Sequence, residues 1–167
     1  TVGLLYNKRK KESVHYVQLL KKKIEEISAE ESINGQKWDV VDSGDYFHDA
    51  ATDDVDLLIS IGGDGTFLKT AAVAMKRDLP VLGFHLGTMG LLTEFDKNDM
   101  DNTVRRLVKG EYVIEERMTL GVQIEDSEGK MLYKTTAIND CVLTRGTLAK
   151  VAYINLFING ALVDTYP

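Results

Sequence analysis

Four short apolar runs, Thr1–Tyr6 (TVGLLY), Trp38–Val41 (WDVV), Val55–Ile61 (VDLLISI) and Pro80–Phe84 (PVLGF), alternate along the chain with stretches of helical spacing. Each run has the length of a buried strand and is too short for a helix. After the basic loop Asn7–Lys11, Val14, Val17, Leu20, Ile24 and Ile27 recur in steps of three and four, which predicts an amphipathic helix. Thr66–Arg77 reads the same way, with Phe67, Leu68, Ala71, Ala72 and Met75 on one side, and Asn98–Val108 reads as a third helix. Strands separated by helices predict a parallel sheet with helices packed on its faces.

The pattern changes after Gly110. Val113–Glu125, Met131–Ala137, Val142–Thr144 and Val151–Ile158 are strand-like, and they are joined by the segment SEGK and by Asn159–Gly160, a strong hairpin signal. The expected organisation is an α/β domain over residues 1–110, followed by the start of an all-β domain over residues 111–167. No low-complexity linker or internal repeat marks the boundary near Gly110–Glu111.

Composition narrows the function. With 167 residues and 44% hydrophobic content, the chain can bury one core, or one domain and part of a second. A net charge of −6 argues against nucleic-acid and anionic-membrane binding, both of which need a basic face. Anionic ligands must then be met locally. Lys21, Lys22 and Lys23 lie beside the apolar stripe of the first helix and read as a solvated face. One cysteine, Cys141, rules out an internal disulfide, and no stretch has the length of a membrane helix or the pattern of a signal peptide, so a cytoplasmic setting is expected.

The third apolar run ends abruptly, in LLISIGGDGT at residues 57–66. In a parallel α/β sheet, ligands bind outside the carboxyl ends of the strands, where this loop falls. Gly62, Gly63 and Gly65 permit positive φ and close approach of backbone amides to a ligand. Together with Thr66 and the N-terminus of the following helix, those amides attract phosphate. A carboxylate in such a cradle repels phosphate unless it serves a metal ion carried by the phosphates or accepts a proton from an attacking hydroxyl. Asp64 therefore has two readings, a catalytic residue or a helix cap in a tight turn.

The loop is not a GxGxxG fingerprint, and no GxxxxGK[ST] occurs. A second glycine loop, GFHLGTMGLLTEF at Gly83–Phe95, follows the next strand, with Gly83, Gly87 and Gly90 around His85 and Thr88. Adjacent strand ends would bring the two loops to one cleft. His15, His48 and His85 are too dispersed for a local ligand motif, and Cys141 has no partner, so no protein-bound structural metal is expected.

GGDGTFLKTA at Gly62–Ala71, GFHLGTMGLLTEF at Gly83–Phe95 and INDCVLTRG at Ile138–Gly146 together resemble the NAD kinase family in order and spacing. The GGDG loop alone is shared with diacylglycerol kinases, sphingosine kinases and phosphofructokinases; the second and third motifs separate the NAD kinases from them. The resemblance implies a phosphofructokinase-like α/β domain followed by an all-β NAD-binding domain. It implies transfer of phosphate from ATP, or polyphosphate, to the 2′-hydroxyl of the adenosine ribose of NAD, with Mg2+ or another divalent cation carried by ATP. Asp64 would accept the hydroxyl proton, and Gly65 would contact NAD through its backbone. Lys69 matches a basic position near the dinucleotide, Asn139 and Asp140 match the family's NAD-binding Asn-acid pair, and Lys150 falls at a further dinucleotide contact. A homo-oligomer is also expected. Read without the family, Asn139–Asp140 would serve equally as a turn, and Lys69 or Lys150 as a solvated side chain.

Two departures stand out: Leu91 where the family often has an aromatic residue and His85 where Asn is common, both affecting packing more than chemistry. The family also continues beyond this pattern into a segment that builds about half of the dinucleotide pocket. Residues 1–167 alone are accordingly expected to bind NAD poorly, to make no NADP and to associate through an uncovered strand edge. The rival readings are a diacylglycerol-type lipid kinase and a nucleotide-binding module without turnover.

Overall fold

The structure, a computed structural model, describes residues 1–31, 37–44, 54–87, 90–144 and 153–166. Strands and helices alternate through its first part: β1 (Val2–Tyr6), α1 (Lys11–Glu31), β2 (Val40–Gly44), β3 (Leu57–Gly62), α2 (Asp64–Ala74), β4 (Val81–His85), β5 (Phe95–Asp96), a single 3-10 turn at Lys97–Asp99, and α3 (Met100–Val108). The five strands form one parallel sheet in the order β2-β1-β3-β4-β5. β5 was not legible in the pattern, because two residues are too few to show a period of two.

Strand alternation divides the apolar side chains between two layers. Val2, Leu4 and Tyr6 of β1 and Ile59 and Ile61 of β3 point to one face, where Val17, Leu20, Ile24 and Ile27 of α1 and Met100, Val104, Leu107 and Val108 of α3 cover them. This face holds the larger core. On the other side, Leu58 packs with Val55 and Ala74. The buried positions of α2 are Thr70, Ala71 and Ala74, small residues that let the helix lie close to the sheet.

An ion-pair network ties α1 to α3. Lys23 reaches Asp101 at 2.7 Å, Arg105 binds Asp101 at 2.9 Å and also Glu31, and Lys109 meets Glu31 at 3.0 Å. The lysine run of α1 is thus part solvated face and part clamp: Lys22 makes an exposed i,i+4 pair with Glu26.

After α3 the chain turns antiparallel. β6 (Leu120–Glu125) pairs with β7 (Met131–Ala137), and β8 (Ile154–Ile158) pairs with β9 (Ala161–Tyr166). Asn159 and Gly160 both take positive φ, 51° and 81°, as a two-residue hairpin turn requires. β6 begins at Leu120 rather than Val113, and Val142–Thr144 forms no strand. Both segments have strand-like residues, but among the described residues neither finds a neighbour for its backbone ladder. Apolar side chains stay exposed on both hairpins, Leu132 and Phe157 among them.

Candidate active site

The strand order fixes where a ligand can enter. From β1 the chain crosses to β2 on one side, while β3 lies on the other, so the crevice between the carboxyl ends of β1 and β3 is the switch point of the sheet. A cleft of about 280 Å³ opens there. Tyr6, Asn7 and Lys10 line it from the end of β1, and Gly63, Gly65, Thr66 and Lys69 line it from α2.

Helix α2 starts without a side-chain cap. Gly63, in an extended conformation at φ −107° and ψ −172°, is the N-cap residue, and its carbonyl accepts the amides of Thr66 at 2.9 Å and Phe67 at 3.1 Å. Asp64 follows it, so it does not cap its own helix. First-turn amides of a helix lack the regular i→i−4 partner, and at α2 the Thr66 amide is used by Gly63 while those of Asp64 and Gly65 have no partner within the helix. The glycines of the loop serve space rather than left-handed backbone: the described glycines with positive φ are Gly44, Gly110, Gly129 and Gly160, none of them in GGDGT. A Cβ added at Gly63 or Gly65 would meet nothing within 4 Å, so the missing side chains leave open access to the backbone.

The carboxylate of Asp64 is turned toward the second glycine loop. Its Oδ2 accepts the Leu91 amide at 3.0 Å and its Oδ1 accepts the Leu92 amide at 3.2 Å. Gly90 makes this approach possible, since a Cβ there would sit 2.0 Å from Oδ1. The opposite end of the loop is held by the Leu86 amide on the Gly62 carbonyl at 3.2 Å, and by buried His85, whose Nδ1–H donates to the Gly87 carbonyl at 3.2 Å. The two glycine loops therefore meet, as their adjacent strand ends imply. An ionised carboxylate offers about four acceptor positions, of which these amides use two. The remainder can receive a hydroxyl.

Of the other expected site residues, Lys69 lies exposed at the cleft, one helical turn beyond Gly65. Asn139 and Asp140 are exposed just after β7 and do not line the cleft. Lys150 lies outside the described residues, as do Thr88 and Met89. In sequence, Asn7 and Lys10 read only as members of a basic loop. Their place at the cleft depends on β1 being the neighbour of β3, which no local pattern reveals. Among the described residues, no group of three or more His, Cys, Asp or Glu side chains could hold a metal ion. Among them, too, no helix is long and apolar enough to cross a membrane.

Comparison with known proteins agrees with this geometry. Residues 2–112 match the family model described as the ATP-NAD kinase N-terminal domain. An NAD kinase of Acetivibrio thermocellus is 32% identical over 99% of this chain and 58% of its own length. One from Corynebacterium diphtheriae is 42% identical over 70% of this chain and 37% of its own length. The chain thus spans about half the length of such relatives. Among solved structures, yeast NADH kinase complexed with NADH superposes with a TM-score of 0.76 at 20% identity, over 98% of this chain and 54% of its own. An NAD kinase from Archaeoglobus fulgidus in complex with ATP gives 0.63 at 22% identity, over 98% and 56%.

Proposed function

The chain belongs to the NAD kinase family, and from that premise we propose that the protein phosphorylates the 2′-hydroxyl of the adenosine ribose of NAD, using ATP or polyphosphate, to give NADP. The observation that carries this reading is the Asp64 carboxylate, fixed between two glycine loops at the start of an uncapped helix. Its two amide bonds hold the side chain in one orientation, so its free acceptor positions present a defined direction to the ribose hydroxyl. That hydroxyl attacks the terminal phosphorus of the donor, the P–O bond to the leaving group breaks (ADP from ATP, or a polyphosphate one unit shorter), and the hydroxyl proton passes to Asp64. A carboxylate is a weak base for a sugar hydroxyl, so Asp64 orients first and takes the proton late. Most of the acceleration then comes from in-line positioning and from charge near the phosphates.

The backbone of Gly62, Gly63, Gly65 and Thr66 forms the phosphate loop. The divalent cation, as the family resemblance implies, enters as part of the donor, on its phosphates. Asn139 and Asp140 contribute to NAD recognition from residues 111–167, the β unit that follows the α/β unit of residues 1–110, and Lys150 adds a further contact. The enzyme works in the cytoplasm as a homo-oligomer.

The test is incubation of the full-length protein with NAD, ATP and Mg2+, reading NADP with an NADP-specific dehydrogenase. Formation of NADP is expected. Phosphorylation of diacylglycerol instead, or binding of NAD and ATP without product, would overturn the reading.

A further inference from the structure

His85 closes β4 at the foot of the second glycine loop and is 3% exposed. Its two ring nitrogens differ. Nδ1 lies 3.2 Å from the Gly87 carbonyl, whereas the Asp96 carboxylate, at 3.7 Å, is beyond hydrogen-bond reach. A carbonyl only accepts, so Nδ1 carries a proton. In the neutral ring Nε2 is then a bare acceptor, and it is buried without a hydrogen-bond partner among the described residues. The hydroxyls of Ser60 and Thr93 are buried and unpartnered in the same way. Ser60 is the register partner of Gly83, which alternation puts on the same sheet face as His85, and Thr93 Cγ2 would stand 3.1 Å from a Cβ on Gly83. Nδ1 is thus the one bonded atom of the ring.

The loop that leaves β4 has few other means of holding its shape. Gly87 and Gly90 free its backbone, which raises the entropy lost when it orders. Leu91 is 92% exposed, so its side chain anchors nothing. Yet this loop supplies the Leu91 and Leu92 amides that fix the Asp64 carboxylate, at 3.0 Å and 3.2 Å. Those amides keep their place only if the chain leaves β4 in a fixed direction. The Nδ1 bond to Gly87, with the Leu86 amide on the Gly62 carbonyl at 3.2 Å, sets that direction.

We infer that His85 is a positioning residue for Asp64, acting through Nδ1–H, which ties down the start of the loop whose far end orients the carboxylate. The inference rests on the kinase reading for what Asp64 does, while the tie between His85 and the loop stands without it. His85, expected from sequence to affect packing more than chemistry, thereby bears on the chemistry through a single polar atom.

Two amide substitutions in the full-length protein separate the nitrogens. The side-chain nitrogen of asparagine stands as many bonds from Cα as Nδ1 does, and that of glutamine as many as Nε2. His85→Asn therefore keeps the donor to Gly87, and His85→Gln loses it. In His85→Gln, kcat for NADP formation is expected to fall about tenfold with the KM for NAD within about threefold. The Leu91 and Leu92 amides are expected to exchange about tenfold faster, as loss of one neutral hydrogen bond at the upper end of its range predicts. His85→Asn keeps most of the kcat and the slow exchange, and nitrogen NMR of the unmodified protein shows the ring proton on Nδ1. Retention by glutamine with loss in asparagine would overturn the inference, transferring the role to Nε2 and the hydroxyls of Ser60 and Thr93. Equal loss in both variants would overturn it too, making the ring a packing element, and so would unmodified behaviour in both. Faster exchange in His85→Gln with unchanged kcat would show a tie that does not position Asp64 for the reaction. If the unmodified protein makes no NADP, the kinase reading alone fails, and the exchange rates of the two variants decide the tie.

Discussion

Replacing Gly90 by alanine tests the contact that joins the two glycine loops. The new Cβ would stand 2.0 Å from Oδ1, 2.6 Å from Cγ and 2.8 Å from Oδ2 of Asp64. Either the carboxylate swings away or the loop retreats, and both movements break the bonds from the Leu91 and Leu92 amides. Hydrogen bonds to a charged group contribute about 1.5–3 kcal/mol each, and the lower end applies because the first is exposed and the second only part-buried. Losing both costs about 3 kcal/mol. Alanine recovers about 0.4–1 kcal/mol by restricting the unfolded chain, leaving a net loosening of about 2 kcal/mol. Because the loop can open without global unfolding, the effect belongs in local hydrogen exchange more than in the melting temperature. The Leu91 and Leu92 amides should exchange about 30-fold faster, taking 1.4 kcal/mol as a factor of ten. Gly87→Ala is the control, since a Cβ there meets nothing within 4 Å. In an Asp64→Ala background the Gly90→Ala penalty should vanish, because the clash has lost its partner. Equal exchange in Gly90→Ala and Gly87→Ala, or a Gly90 penalty that persists without Asp64, would refute the claim that the loop is anchored on that carboxylate.

Other changes follow from the same geometry. Asp64→Asn turns an NH2 toward one of the two amides, so the loop contact drops to one hydrogen bond while proton acceptance is lost. Turnover should fall by at least about 10²-fold with the NAD dissociation constant within about threefold, and near-normal kcat would remove Asp64 from the chemistry. Asn139→Ala and Asp140→Ala should each weaken NAD binding by about 1–3 kcal/mol, measured calorimetrically in the full-length protein; unchanged affinity would reduce the pair to a turn. Phe84→Ala empties a fully buried position whose ring lies 6.0 Å from that of Phe95, and should cost about 3–5 kcal/mol in urea unfolding. A loss under about 1 kcal/mol would mean that β4 is not at the centre of the larger core.

Much of this molecule was legible in the chain because the signals were local. The step of three and four at Val17, Leu20, Ile24 and Ile27 names the face of α1 that the sheet buries. Asn159–Gly160 can adopt the positive φ of a two-residue turn, so the last hairpin is encoded where it bends. The run LLISIG followed by GDGT placed one carboxylate at a strand end among residues without side chains, which already marked that loop as a candidate site. Local signals failed where a strand needs a neighbour: Val113 and Val142 have suitable residues but no ladder among the described residues, and β5 is too short to show a pattern. What only the tertiary structure decided is the direction and company of each group. Asp64 accepts amides from residues 27 and 28 positions later, and Lys10 shares a cleft with Lys69 because β1 lies beside β3 in the sheet. Periodicity and turn chemistry act over a few residues and fix which elements form. Strand order and the orientation of a polar side chain are set by the packing that brings distant segments together.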